Sequence, residues 1–165
     1  MQPDVDHIPN AKQRRLILIA MCTALVAVVA SVSGLNVAQQ QLATELGASQ
    51  SQLLWVINGY TIALAALLMP IGAIGDRWGR KHVLVGGLAL FVGSNVVAAI
   101  STTVTQLLLS RVAAGVGAAM IMPVTLSVIT SSFPAEDRDR AVVVWAGFAG
   151  AGGILGLITS SIVVD

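Results

Sequence analysis

Five apolar runs, at about 16–38, 53–74, 83–100, 104–129 and 141–164, set the terms on which this chain folds. Each approaches the ~20 residues with which a helix crosses about 30 Å of hydrocarbon. In that medium every backbone N–H and C=O must be bonded internally, which leaves helices or a closed barrel. The runs are too long and too uniformly apolar for strands, whose residues alternate between faces. They predict an all-α polytopic membrane protein with five transmembrane helices. Composition agrees, because 56% of the 165 residues are hydrophobic and 10% charged, too few polar groups to coat a water-solvated domain.

Charge is concentrated in the connections, and it alternates. Lys12, Arg14 and Arg15 precede the first run; Arg77, Arg80 and Lys81 join the second to the third; Arg138 and Arg140 join the fourth to the fifth. The other two connections, around TELGASQSQ and STTVTQ, hold no Lys or Arg. Since cations are retained on the cytoplasmic side, the pattern predicts a multi-pass protein of the cell (plasma or inner) membrane with a cytoplasmic amino terminus. Of the nine basic residues only Arg111 departs from it. A cleaved signal peptide is the alternative for the first run, with Ala30 and Ser31 as small residues at a processing site. The run continues past them and four more follow, which favours a retained span.

Residues 1–15 thus read as a polar cytoplasmic leader and 16–165 as a partial transmembrane domain. Pro134 fits the first helical position of the fifth span, where Glu136 and Asp137 face the positive end of the helix dipole. An odd number of spans ending at Asp165 leads us to expect a fragment of a longer chain.

Several chemistries are excluded by what the spans lack. A net charge of +1 offers no field for nucleic acid. Cys22 is the single cysteine, and His7 and His82 stand far apart, so neither a disulfide framework nor a metal site is indicated. No nucleophile, base and orienting acid share a span, so catalysis is not expected.

The turn between the second and third spans reads GAIGDRWGRK: Gly72, Gly75, Asp76, Arg77, Gly79, Arg80 and Lys81. Glycines permit close backbone approach and a tight turn, Asp76 accepts from helix-end amides or an arginine, and the cations supply orientation and pairing. Solvated topology determinants alone would explain the cations but not the glycines and aspartate at fixed offsets. The segment resembles the signature of the major facilitator superfamily of transporters. That resemblance implies a conformational latch, and it implies that these helices form most of the amino-terminal six-helix half of the fold. A missing carboxy-terminal half would complete the latch.

Arg111 lies about six residues into the fourth span, roughly 9 Å below its start at about 1.5 Å per residue. Burying it costs ~2.5–3.5 kcal/mol on insertion scales, tolerated where the guanidinium faces a bundle interior or wet cavity; snorkelling to the interface is the bland alternative. The run Arg111-Val112-Ala113-Ala114-Gly115-Val116-Gly117 also resembles the family's fourth-helix motif, with Ala114 in place of a frequent glutamine. The resemblance implies proton coupling for Arg111 and close packing for Gly115 and Gly117. Pro123 is expected to kink the same helix.

In the fifth span Gly152, Gly156 and Ser160 repeat every four residues and so share one face for helix packing. The stretch resembles the family's antiporter motif in part, with Gly156-Leu157 where that motif has glycine-proline. The first span, SVSGLNVAQQQL, is similar to that of the fourteen-helix drug:proton exporter group, with Ser31 where an acidic residue is usual. Ser33 and Asn36 lie on one face there, and Asn58 sits in WVINGYTIA between Trp55 and Tyr60, aromatics suited to the outer interface. Ser33, Asn36 and Asn58 are candidates for a substrate cavity, and interhelical hydrogen bonding is the equal alternative for the asparagines. No Asp or Glu lies within any span, so a proton-carrying acid would have to come from outside this segment.

The resemblance implies a secondary active transporter of small or amphiphilic solutes, a proton-driven antiporter working in efflux, with the proton gradient as energy source and no cofactor. Its partners would be the lipid bilayer and a small-molecule solute. A non-transporting remnant, or an accessory or sensing subunit, is the alternative.

Overall fold

The computed structural model describes residues 10–164, with the side chains of 35–40, 42–44 and 160–164 left outside the described part. It comprises α1 (Ala11–Leu46), α2 (Gln50–Trp78), α3 (Arg80–Ala99), α4 (Val104–Ser132) and α5 (Ala135–Val164). Each contains a stretch long and apolar enough to cross a membrane.

The helices outrun the apolar runs because polar caps, not lipid, decide where backbone bonding stops. Asn10 Oδ1 accepts from the Lys12 amide and starts α1 at Ala11, so residues 11–15 of the expected leader are helical instead. At α2, Ser49 Oγ accepts from the Gln52 amide at 3.3 Å while Gln52 Oε1 accepts from the Ser49 amide at 2.9 Å, a reciprocal capping box. Thr103 does the same service for α4, accepting from the Gln106 amide. Pro134 stands one residue earlier than expected. Its carbonyl accepts from the amides of Asp137 and Arg138, which makes it the cap of a helix beginning at Ala135.

Between α2 and α3 only Gly79 is non-helical, at φ +94°. A residue with a Cβ is strained at that φ, so the turn's tightness depends on glycine.

α4 is the central helix: half of its span is buried, against 17–22% for the other four. It packs on α2 and α3, while α1 packs chiefly on α5 and meets α4 across the middle. The shared core joins Val28 of α1, Tyr60 of α2, Phe91 of α3 and Ala114, Ala118 and Ile121 of α4. Leu25 and Val28 of α1 are buried in the bundle.

Small residues bring the axes together where lipid offers no hydrophobic drive for association. Along the parallel α1/α5 seam, a Cβ at Gly152 would stand 3.1 Å from Val26 Cα, and one at Gly156 would stand 2.5 Å from the Ala30 carbonyl oxygen. Both helices advance by four residues between these contacts, so the two run in register. On the other side of the bundle a Cβ at Gly115 would lie 2.5 Å from the Tyr60 carbonyl oxygen, and one at Gly117 would lie 2.9 Å from the Phe91 nitrogen. The first closes α4 onto α2 and the second closes it onto α3. Pro123 stands inside α4, opposite Gly72 of α2, where a Cβ would meet the proline ring at 3.6 Å.

Candidate functional site

The basic residues gather at one end of the bundle. Arg14 of α1 approaches Asp137 of α5 at 3.9 Å, and Arg80 at the start of α3 reaches the last turns of α4. There Arg80 Nη1 donates to the Ser127 carbonyl at 3.0 Å and to Ser131 Oγ at 2.7 Å. Its Nε and Nη2 face Asp76 Oδ1 of α2, each at 3.5 Å. One guanidinium therefore ties three helices, and it satisfies a carbonyl in the last two turns of α4. Gly75 makes the geometry possible, because a Cβ there would meet Val124 Cγ2 at 3.2 Å. Both partners are partly exposed, with side-chain exposures of 38% for Arg80 and 65% for Asp76, which suits a tie that opens. Arg77 and Lys81 point to the surface and make no bond with the described residues.

Arg111 occupies a second, buried centre. It is 4% exposed, and the snorkelling alternative fails because its guanidinium turns into the bundle. Nη1 donates to Ser31 Oγ of α1 at 3.2 Å. Its Cζ lies 4.7 Å from the ring centroid of Tyr60 in α2, a cation–π contact. Ser31 donates onward to Asn95 Oδ1 of α3 at 2.9 Å, and Asn95 Nδ2 donates to the Phe91 carbonyl at 2.7 Å. Four helices thus meet on one cation through neutral groups alone. Two buried atoms of the cluster, Arg111 Nε and the Tyr60 hydroxyl, have no hydrogen-bond partner among the described residues.

Tyr60 corrects an expectation. Read as an interfacial anchor, it is 1% exposed, because it stands ten residues and so about 15 Å inside α2. Trp55, nearer the helix start, is 60% exposed. Replacing Tyr60 by Phe keeps the ring under the guanidinium and removes an unpartnered buried hydroxyl. Such a group costs about 1–3 kcal/mol. Tyr60→Phe is therefore expected to leave the melting temperature of the purified protein unchanged or raised, and a clear fall would show that the hydroxyl is bonded.

The other candidates scatter. Ser33 packs against α5, where its Cβ would meet one built on Gly156 at 2.9 Å, and lies on the opposite side of α1 from Ser31. Asn58 is exposed on α2. The side chains of Asn36 and Ser160, like His7, lie outside the described residues. Sequence reasoning missed Asn95, Ser127 and Ser131. Asn95 carried a usable signal, as the single amide side chain in the third apolar run.

The sequence profile described as "Major Facilitator Superfamily" matches residues 19–165. The chain belongs to the major facilitator superfamily. Within it, the methyl viologen resistance protein SmvA of Salmonella typhimurium is 38% identical over 91% of this chain and 30% of that protein. The multidrug efflux pump LfrA of Mycolicibacterium smegmatis is 33% identical over 99% of this chain and 32% of its own length. The cephamycin export protein CmcT of Amycolatopsis lactamdurans is 32% identical over 90% of the chain and 31% of its own length. The chain thus spans about a third of the length of the curated relatives it matches. Its fold is that of a bacterial homologue of the lysosomal transporter Spinster, with a TM-score of 0.82 at 21% identity, over 89% of this chain and 31% of that one. This superfamily member is accordingly a multi-pass membrane protein.

Proposed function

We propose that this chain is the amino-terminal part of a secondary active transporter of the fourteen-helix exporter group, working by alternating access in proton-coupled efflux of small or amphiphilic solutes. The observation that carries the reading is the Arg80 tie, which joins Asp76 of α2 to the last turns of α4 with partly exposed, breakable bonds. A tie of that strength, one charge-assisted contact plus two hydrogen bonds, biases a two-state equilibrium without freezing it. The parallel pairing of α1 with α5 and of α2 with α4 supports it too, because inverted repeats within each half are a general property of this superfamily. The names of the relatives, a multidrug efflux pump and an export protein among them, favour outward movement. The basic end, with Lys12, Arg14, Arg77, Arg80 and Arg138, is the cytoplasmic one in this reading, which places the amino terminus inside the cell.

Flux of a fluorescent amphiphile in proteoliposomes holding the complete transporter tests the proposal. Uptake that rises with an imposed pH gradient is expected, and no flux of any solute would count against transport. Arg80→Ala should keep the protein folded while slowing exchange between inward-open and outward-open states. A several-fold loss in flux is expected, and Arg80→Lys should recover little of it, since an ammonium cannot reach Ser127, Ser131 and Asp76 together. Wild-type flux in Arg80→Ala would remove the latch from the mechanism.

A further inference from the structure

We infer that Arg111 is the anchor of a binding site for an organic anion, so that the cargo class is an apolar body carrying a carboxylate or comparable oxyanion. The inference rests on the transporter reading and narrows its cargo.

The argument begins with charge balance. Arg111 is buried at 4% exposure between four helices, and no Asp or Glu stands within any of the five apolar runs. The described acids, Glu45, Asp76, Glu136, Asp137 and Asp139, all sit near helix ends. A buried cation is normally paired, because removing it from water costs more than neutral neighbours return. Here every partner among the described residues is neutral.

The partners are also used up or incomplete. The Ser31 hydroxyl accepts from Arg111 and spends its proton on Asn95, whose amide is held by the Phe91 carbonyl. The Tyr60 ring takes one face of the cation, at 4.7 Å from Cζ to the ring centroid. Arg111 Nε is left as a buried donor without a partner among the described residues. An oxyanion is the group that satisfies both the charge and that donor, and guanidinium geometry suits a planar carboxylate.

There is room for one. Arg111, Ser31 and Asn95 line a groove of about 680 Å³ between α1, α3 and α4, whose remaining wall is apolar, including Phe91, Leu107 and Ala27. That volume falls in the range of small-molecule sites, which are mostly apolar with a few convergent polar groups. The combination selects a molecule with one anionic end and an apolar body.

Three probes with one apolar body separate the possibilities: 2-naphthoate, its uncharged amide, and 2-naphthylmethylammonium. Binding is read by probe fluorescence on the complete transporter in phosphatidylcholine nanodiscs. The carboxylate is expected to bind at least roughly tenfold more tightly than either of the others. Arg111→Gln should abolish that preference. Should this variant fail to fold, Ser31→Asp decides, since it leaves Arg111 in place and supplies an internal counter-ion beside Nη1. The same loss of carboxylate preference is expected.

Equal affinities for the three probes, or a preference that survives in Ser31→Asp, would overturn the inference. Displacement of 2-naphthoate by added phosphatidylglycerol would assign the oxyanion to lipid and overturn the cargo assignment. Flux assays keep the two levels apart. A protein that moves a cationic dye but shows no carboxylate preference overturns the anion site and leaves transport standing. Arg111-dependent binding of 2-naphthoate with no flux does the reverse.

Discussion

Gly115→Val is expected to abolish most folded protein, whereas the same change at Gly93 is expected to cost little. At Gly115 even a Cβ meets the Tyr60 carbonyl oxygen at 2.5 Å, Ala63 Cβ at 2.9 Å and the Tyr60 carbonyl carbon at 3.2 Å. Two of the three are backbone, so no rotamer change relieves the clash. Helix α2 must move away from α4, and over-packing of this kind costs about 1–3 kcal/mol or more. Separation also withdraws the Tyr60 ring from Arg111, exposing a buried cation to loss of its contact. At Gly93 nothing lies within 4 Å of the added carbon, so valine there meets open space. Size-exclusion profiles and thermal melts of the two purified variants provide the comparison. Similar behaviour of the pair would show that α2 and α4 do not touch along this seam.

That seam also explains which parts of the molecule are legible in the sequence. Helix number and order are plain, because hydrocarbon thickness fixes the length of an apolar run. Helix ends are not. The first apolar run ends at about residue 38, yet α1 continues to Leu46 through QQQLATEL, since helical bonding needs no lipid. The GAIGDRWGRK loop is legible because glycine, aspartate and arginine stand together at fixed offsets at the edge of an apolar run. Its acceptors on α4, Ser127 and Ser131, are not, because a serine in a membrane helix ordinarily returns its hydroxyl to its own backbone, as Ser131 also does to Val128.

The buried centre divides in the same way. Arg111 announces itself by its cost. Its partners depend on tertiary geometry: Tyr60 meets it because Gly115 lets α4 approach α2, and Ser31 meets it rather than Ser33 because residues two apart project from opposite sides of a helix. Counting eleven residues from the capping serine would have moved Tyr60 off the interface and into the core.

Arg111→Ala should leave membrane insertion intact while reducing transport by roughly ten- to a hundredfold. Insertion is expected to survive because alanine removes a cation that costs ~2.5–3.5 kcal/mol in a span. What the substitution leaves is a void beside Ser31 and Tyr60, neutral groups, so no buried charge is left unpaired. Transport is expected to fall because the cation joins α1 and α2 to its own helix α4, through Ser31 Oγ at 3.2 Å and the Tyr60 ring at 4.7 Å. A charge-assisted contact made differently in two conformations, worth about 1.5–3 kcal/mol, accounts for about one to two decades of flux. Arg111→Lys tests whether charge alone suffices. An ammonium lacks the planar fork that stacks on Tyr60 while donating sideways to Ser31, so partial recovery is expected. Flux in proteoliposomes, normalised to folded protein, reads all three. Full activity in Arg111→Ala would make the buried arginine a packing element, and full activity in Arg111→Lys would reduce its role to that of a point charge.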